Sequence, residues 1–283
     1  MLETILALYS IYTFMRLYIS VMQIGYINDE KRKDPVLMPA GKYMVAANYA
    51  VAKEKLSLIE TFVDYLMFVW WVLAGFSFLT SLIQVEGTIM QAVVFLFGFI
   101  LINYIVGLPF QLYQTFKIDE DFGFNKMTIK MFILDTLKSS ALFIVIGGAI
   151  FALLTWIIIR YENWWLWGFI LMFTIAVMAN VLMPFFMSLF NKFSPMEEGE
   201  LKDAITKLMD QAGLKSDGIF IMDASKRDSR LNAFFGGLGK SKRVVLFDTL
   251  VEKLNKKELL AVLGHELGPV SYTHLTLPTI CSV

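Results

Sequence analysis

Up to residue 190 the hydrophobic positions run in unbroken blocks, and five of these blocks reach the roughly 20 residues that a helix needs to cross a bilayer. They cover approximately residues 2–25, 62–84, 89–113, 139–159 and 164–190. Met1-Leu2-Glu3 carries no basic group and no small-residue cleavage site follows the first block, so it reads as a retained span rather than a signal peptide. At Asn191 the pattern turns polar. Ser194-Pro195 predicts an N-cap with proline at the first helical position, and Glu197, Glu198 and Glu200 suit the first turns of a helix that runs to about Ala212 and stops at Gly213. Short apolar runs at 219–222, 231–235 and 243–247 predict three strands, the last two joined by the hairpin-like Gly236-Gly237-Leu238-Gly239-Lys240. Asn255-Lys256-Lys257-Glu258 is a capping box that opens a last helix. Leu259, Leu260, Val262 and Leu263 make that helix almost wholly apolar, and it is expected to be buried.

Composition agrees with the pattern. A chain that is 57% hydrophobic and 18% charged is too apolar for an ordinary soluble domain, and a net charge of zero offers no basic stripe for a nucleic-acid partner. Its single cysteine, Cys281, excludes a disulfide framework. The lipid bilayer is the first partner. Lysine and arginine mark the sides of it: Lys31, Arg32, Lys33, Lys42, Lys53 and Lys55 lie between the first two spans, none lies between the second and third, Lys117, Lys126 and Lys130 follow the third, and Arg160 alone follows the fourth. The alternation places the N-terminus outside and everything after residue 190 in the cytoplasm, unless one block is re-entrant. Arg16 sits inside the first span and is expected to face protein or water or to snorkel, while Trp164, Trp165 and Trp167 read as an interfacial belt.

The candidate chemistry lies on the last helix. Leu263-Gly264-His265-Glu266-Leu267-Gly268 is a zinc-peptidase helix up to its second histidine. Such helices read H-E-x-x-H because residues four apart share a face, so two imidazoles reach one metal while the Glu lies against the attacking water. Position 269 is Pro, which has no ligand atom. A His-Glu pair alone is also what an ordinary partly buried pair looks like, and the buried apolar helix around it raises the metal reading because buried polar atoms need partners. Residues 270–279 correspond to an in-frame translation of a widely used sequencing-transposon adapter. One native base C before that adapter gives the proline codon CCT, and histidine codons also begin with C. Residues 269–283 therefore read as non-native with His at 269 in the native protein, the alternative being a natural pseudoenzyme with an unusual tail.

Several separate motifs then carry a resemblance. Asp119-Glu120-Asp121-Phe122-Gly123-Phe124-Asn125-Lys126-Met127-Thr128, Phe193-Ser194-Pro195-Met196-Glu197-Glu198-Gly199-Glu200-Leu201, Ser225-Lys226-Arg227, Asn232-Ala233-Phe234-Phe235-Gly236, the run 240–250 and the helix around His265 follow one another as in the type I CaaX prenyl proteases and their bacterial relatives, which the chain resembles. The resemblance implies a mainly α polytopic membrane protein, with about five transmembrane helices (1–190) followed by the N-terminal part of a zincin-like α+β catalytic domain (191–268). It implies a zinc metalloendopeptidase in which His265 is a zinc ligand, Glu266 is the general base and Asn232 holds extended substrate from an edge strand, an Asn closing a turn being the plain alternative for the last. It implies a third ligand, a downstream Glu, and two further spans that this sequence does not contain, so the chain as written is expected to be inactive. Zinc is the expected cofactor, and a peptide or protein, prenylated or membrane-associated, the expected substrate. The expected membrane is the inner membrane in a bacterium and the endoplasmic reticulum in a eukaryote. Glu120 and Asn125 are expected to cap their loop. A non-catalytic transporter or scaffold is the competing class; a transporter should show internal repeats, and none is found.

Overall fold

The structure, a computed structural model, describes residues 2–36, 39–211, 218–236 and 243–272. The chain falls into two compact units, residues 1–125 with 142–160 and residues 126–141 with 161–283.

The first unit begins with helices α1 (Leu2–Glu30) and α2 (Ala40–Leu82), which run antiparallel: Tyr9 stacks on Phe68 at 3.8 Å, the Ser10 and Tyr65 hydroxyls share a hydrogen bond of 2.9 Å, and Lys31 donates to Asn48. Helix α2 starts well before its apolar block because the preceding stretch is rich in Ala, Lys and Glu, which favour helix without needing a membrane. A π turn at Trp71–Gly75 interrupts it. There the Trp71 indole N–H donates to Asn103 of α3 (Thr88–Asp121) at 3.3 Å, and a Cβ on Gly75 would stand 2.6 Å from the Trp71 ring, so only glycine fits. Helix α3 ends in a second π turn, Gln114–Ile118. The later part of α4 (Ile129–Arg160) completes the unit, with Phe97 of α3 against Phe143 and Phe151. All five apolar blocks form helices long and apolar enough to cross a membrane.

The second unit contains the start of α4, helix α5 (Trp164–Ser188) and a soluble module. The module is a four-stranded sheet of β1 (Phe193–Pro195), β2 (Ile219–Met222), β3 (Ala233–Gly236) and β4 (Arg243–Phe247), in the order β1-β2-β4-β3. β2 and β4 are parallel; the other pairings are antiparallel. Helices α6 (Glu200–Gln211), α7 (Asp248–Lys253) and α8 (Lys256–Tyr272) complete it.

One expectation is corrected here. Ser194 and Pro195 do not start a helix; they lie in β1, with Ser194 opposite Ile221 and Pro195 opposite Phe220, and the helix begins at Glu200. Proline is tolerated because β1 is an edge strand, where a missing N–H costs no ladder bond. The expected stop at Gly213 and the residues 237–240 of the hairpin lie outside the described residues, although the antiparallel pairing of β3 with β4 is that of a hairpin.

Alternation along β4 decides where the core sits. Val244 and Leu246, both fully buried, face a core built from Ile205 and Met209 of α6, Leu250 of α7 and Leu259 and Leu263 of α8. Val245 points the other way, into a smaller cluster with Met222 and Ala224 that Met187, near the end of α5, also joins. A membrane helix thus closes the second face of the sheet.

Candidate active site

Helix α8 is set by its cap. The Asn255 side-chain oxygen accepts the N–H groups of Lys257 (3.0 Å) and Glu258 (3.1 Å), and the Glu258 carboxylate accepts the Asn255 N–H at 3.0 Å. This is the reciprocal pattern expected of the sequence. Leu259 and Leu263, four apart, then point into the core. His265, two residues past Leu263, is turned to the opposite face and is exposed. The helix is buried as expected along the stripe of Leu259 and Leu263 and partly at Leu260 and Val262, while Ala261 and His265 are exposed. The side chain of Glu266 lies outside the described residues. The α8 backbone continues through Pro269 to Tyr272, so position 269 shares the face of His265 by helical spacing.

The donor set does not fit a catalytic zinc site. Such a site needs three protein ligands, and among the described residues no three His, Cys, Asp or Glu side chains come together. Position 269, one helical turn after His265, is proline and supplies no ligand atom.

Asn232 is exposed and immediately precedes β3, which is an edge strand. Its side-chain oxygen accepts the N–H of Ala233 at 2.9 Å, and its carbonyl accepts the N–H of Phe247 at 3.0 Å. The turn-closing arrangement is thus present, and among the described residues β3 has ladder bonds to β4 alone. Ala233 belongs to the same core as Leu263, so the strand of Asn232 and the helix of His265 are held by one set of contacts.

The chain entering β3 is fixed by an ion pair that sequence reading did not foresee. Arg227 Nε donates to Asp135 Oδ2 at 2.9 Å, Nη2 donates to Asp135 Oδ1 at 3.3 Å, and Nη1 donates to Asn191 Oδ1 at 3.1 Å. The Ser225-Lys226-Arg227 motif was the available signal, together with one acid in the turns ahead of the fourth apolar block. Beside it, burial pushes the Asp223 carboxyl up, but hydrogen bonds from Lys226 and the Lys192 backbone N–H, with the charges of Lys226 and Arg227, outweigh this and hold it below the usual carboxylate range.

The acidic loop is structural. Asp119 accepts Gln114 at 2.9 Å through its carboxylate, and its carbonyl accepts the N–H groups of Phe124 and Asn125. The Glu120 carbonyl accepts the N–H of Gly123, whose φ of +78° explains the glycine. Thr128 caps α4 by accepting the Met131 N–H at 3.2 Å. Arg16 is exposed on α1, with its guanidinium 5.9 Å from the Tyr12 ring centroid. Trp164, Trp165 and Trp167 are exposed at the start of α5.

Five membrane helices followed by a helix, a small sheet and a His-Glu helix define an integral membrane protein with a zincin-like α+β module. Residues 36–192 match the family model of the CAAX prenyl protease N-terminal region, five membrane helices, and residues 195–282 match peptidase family M48. The chain belongs to the CAAX prenyl protease family of M48 peptidases. It is 37% identical over 253 residues to CAAX prenyl protease 1 of Saccharomyces cerevisiae, covering 83% of this chain and 55% of that protein. It is 34% identical over 250 residues to a CAAX prenyl protease 1 homolog of Arabidopsis thaliana, covering 83% and 58%. The crystal structure of S. mikatae Ste24p superposes with a TM-score of 0.88 at 33% identity, covering 97% of this chain and 67% of that one. The chain spans little more than half the length of these two curated relatives.

Proposed function

We propose that this chain represents an integral-membrane zinc metalloendopeptidase of the CaaX prenyl protease type, acting on prenylated or membrane-associated peptides from the cytoplasmic side, with the endoplasmic reticulum as its membrane, as the eukaryotic relatives suggest. The observation that carries the reading is the shared core of Ala233 and Leu263. It holds an edge strand, which can pair with an extended peptide, beside the helix of His265 and Glu266. Asn232 stands at the head of that strand and holds substrate. Met187 in the cluster on the other face of the sheet keeps this arrangement at the membrane surface, where a lipid-anchored peptide is found.

In this reading, with His at 269, His265 would be a zinc ligand and Glu266 the general base, whose carboxylate would take a proton from the attacking water. Residue 269 is His in the native protein, and residues 269–283 are not native. With Pro269 the chain as written holds zinc weakly and does not cleave peptides. Purification of the 283-residue product and metal analysis tests this directly: a substoichiometric zinc content is expected, and one zinc per chain overturns it. In the enzyme carrying His at 269, Glu266→Gln keeps the metal and loses about 10²–10⁴ in rate, whereas His265→Ala loses both.

A further inference from the structure

Arg227 is bonded through all three guanidinium nitrogens and both of its backbone groups. Its guanidinium forms a fork with Asp135 and a third bond with Asn191; its carbonyl accepts the N–H of Lys126 at 3.0 Å; its own N–H donates to the Ala224 carbonyl at 2.9 Å. Asp135 stands in the early turns of α4 and Asn191 just past the end of α5. One side chain therefore ties the approach to β3 to the ends of two membrane helices.

The stretch between Arg227 and β3 has little freedom. The Asp228 carboxylate accepts the Arg230 backbone N–H at 2.8 Å and its Nη1 at 2.7 Å. The Arg230 carbonyl accepts the buried Thr249 hydroxyl at 2.8 Å, and the Asn232 carbonyl accepts Phe247 N–H. The approach from Arg227 to Asn232 is thus anchored at Asp228, Arg230 and Asn232 in turn. The apolar core of Val244, Leu246, Leu259 and Leu263 includes neither partner of this ion pair. Arg227 and Asp135 are 20% and 17% exposed, which shields the fork from the screening that weakens surface pairs.

We infer that Arg227, acting through Asp135 and Asn191, is a positioning residue that fixes the distance between the β3 edge and the membrane ends of α4 and α5, and thereby which residue of a membrane-anchored peptide lies beside Asn232. The inference rests on the reading of β3 as the peptide-pairing edge. It gives the protease a ruler: the cleavage position is measured from the bilayer.

The test uses the full 283-residue chain in lipid nanodiscs, because peptide pairing to an edge strand does not require the metal. Arg227→Lys keeps the charge and loses the fork; Asp135→Asn keeps the shape and loses the charge. The reversed pair, Arg227→Asp with Asp135→Arg, reinstates an ion pair. The probe is a farnesylated peptide series with a photoreactive residue at successive distances from the lipid. In the unsubstituted chain one distance gives a maximum of cross-linking to β3. In both single variants that maximum shifts or spreads, and amide exchange over 228–234 and at Phe247 rises by about tenfold or more while that of α6 stays unchanged. The reversed pair restores both, and Arg227→Lys carries the test should Asp135→Asn fail to fold. A maximum that stays in place, or exchange that rises equally in α6, shows a general stabilising role and overturns the proposal. No cross-linking in the unsubstituted chain sinks the edge-strand reading and the inference together, and is told apart because it precedes any substitution.

Discussion

The phenolic hydroxyl of Tyr49 donates to the carboxylate of Asp119 at 2.8 Å, and the ring that carries it stands edge-on to both Phe122 and Phe124. The acidic-G-F-N motif is thereby explained as a clasp on α2: Asp119 takes the hydroxyl, the two phenylalanines take the ring, and Gly123 makes the bend between them. Tyr49→Phe should destabilise the protein by about 1 kcal/mol, the net worth of one partly buried hydrogen bond. Tyr49→Ala should cost more, since both aromatic contacts go as well. Thermal unfolding in detergent measures the order, and a Tyr49→Phe variant as unstable as Tyr49→Ala contradicts it.

The capping box at Asn255 and Glu258 sets the start of the helix that carries His265. Asn255→Ala should cost roughly 1 kcal/mol by freeing the N–H groups of Lys257 and Glu258. Asn255→Asp should cost little, because a carboxylate accepts the same bonds and suits the helix N-terminus. Amide exchange in the first turn of α8 reports the difference. Equal exchange in the two variants rules out the cap as its cause.

Asp223 gives the module an acid-sensitive joint. Its carboxyl is held below its ordinary value of 3.8 in the folded state, so its contribution is fully present above that value and is lost as pH falls through the lowered one. Asp223→Asn should lower stability at neutral pH and flatten the acid limb of the stability profile. Amide exchange over 219–236 followed across pH checks both, and an unchanged acid limb removes Asp223 as its source.

Membrane sidedness is open to a direct measurement. Cysteine placed at Glu86 and at Lys226, in a chain with Cys281 replaced by Ser, should label from opposite sides of the membrane, with Lys226 in the cytoplasm. Labelling of both from one side overturns the orientation read from the lysines and arginines.

The spans were legible because lipid imposes one simple demand, an unbroken apolar stretch of sufficient length. Their polar extensions were not, since Ala40 to Glu60 carries ordinary helix-forming residues whose pattern does not say that they continue a span. The strands and the capping box came from local turn and cap chemistry. β1 did not: Ser194-Pro195 satisfies a helix start as well as an edge strand, and only the pairing with β2, supplied by residues far along the chain, decides between them. The same limit applied at the site. His265 and Asn232 could be singled out by residue type and motif, whereas the fork of Arg227 on Asp135 joins residues 92 apart that no local pattern connects.

The order β1-β2-β4-β3 has a consequence for biogenesis. Of the four described strands β4 is synthesised last and lies between β2 and β3, so β3 has no neighbour in the sheet, and β2 has only β1, until residues 243–247 have emerged. By then all five apolar helices have been synthesised and handed to the insertion machinery. A nascent chain stalled before β4 would carry these five helices with an unclosed polar tail, β3 unpaired and one edge of β2 exposed. The interval after insertion of these helices and before β4 is therefore the one in which the tail is open to recognition as unfolded.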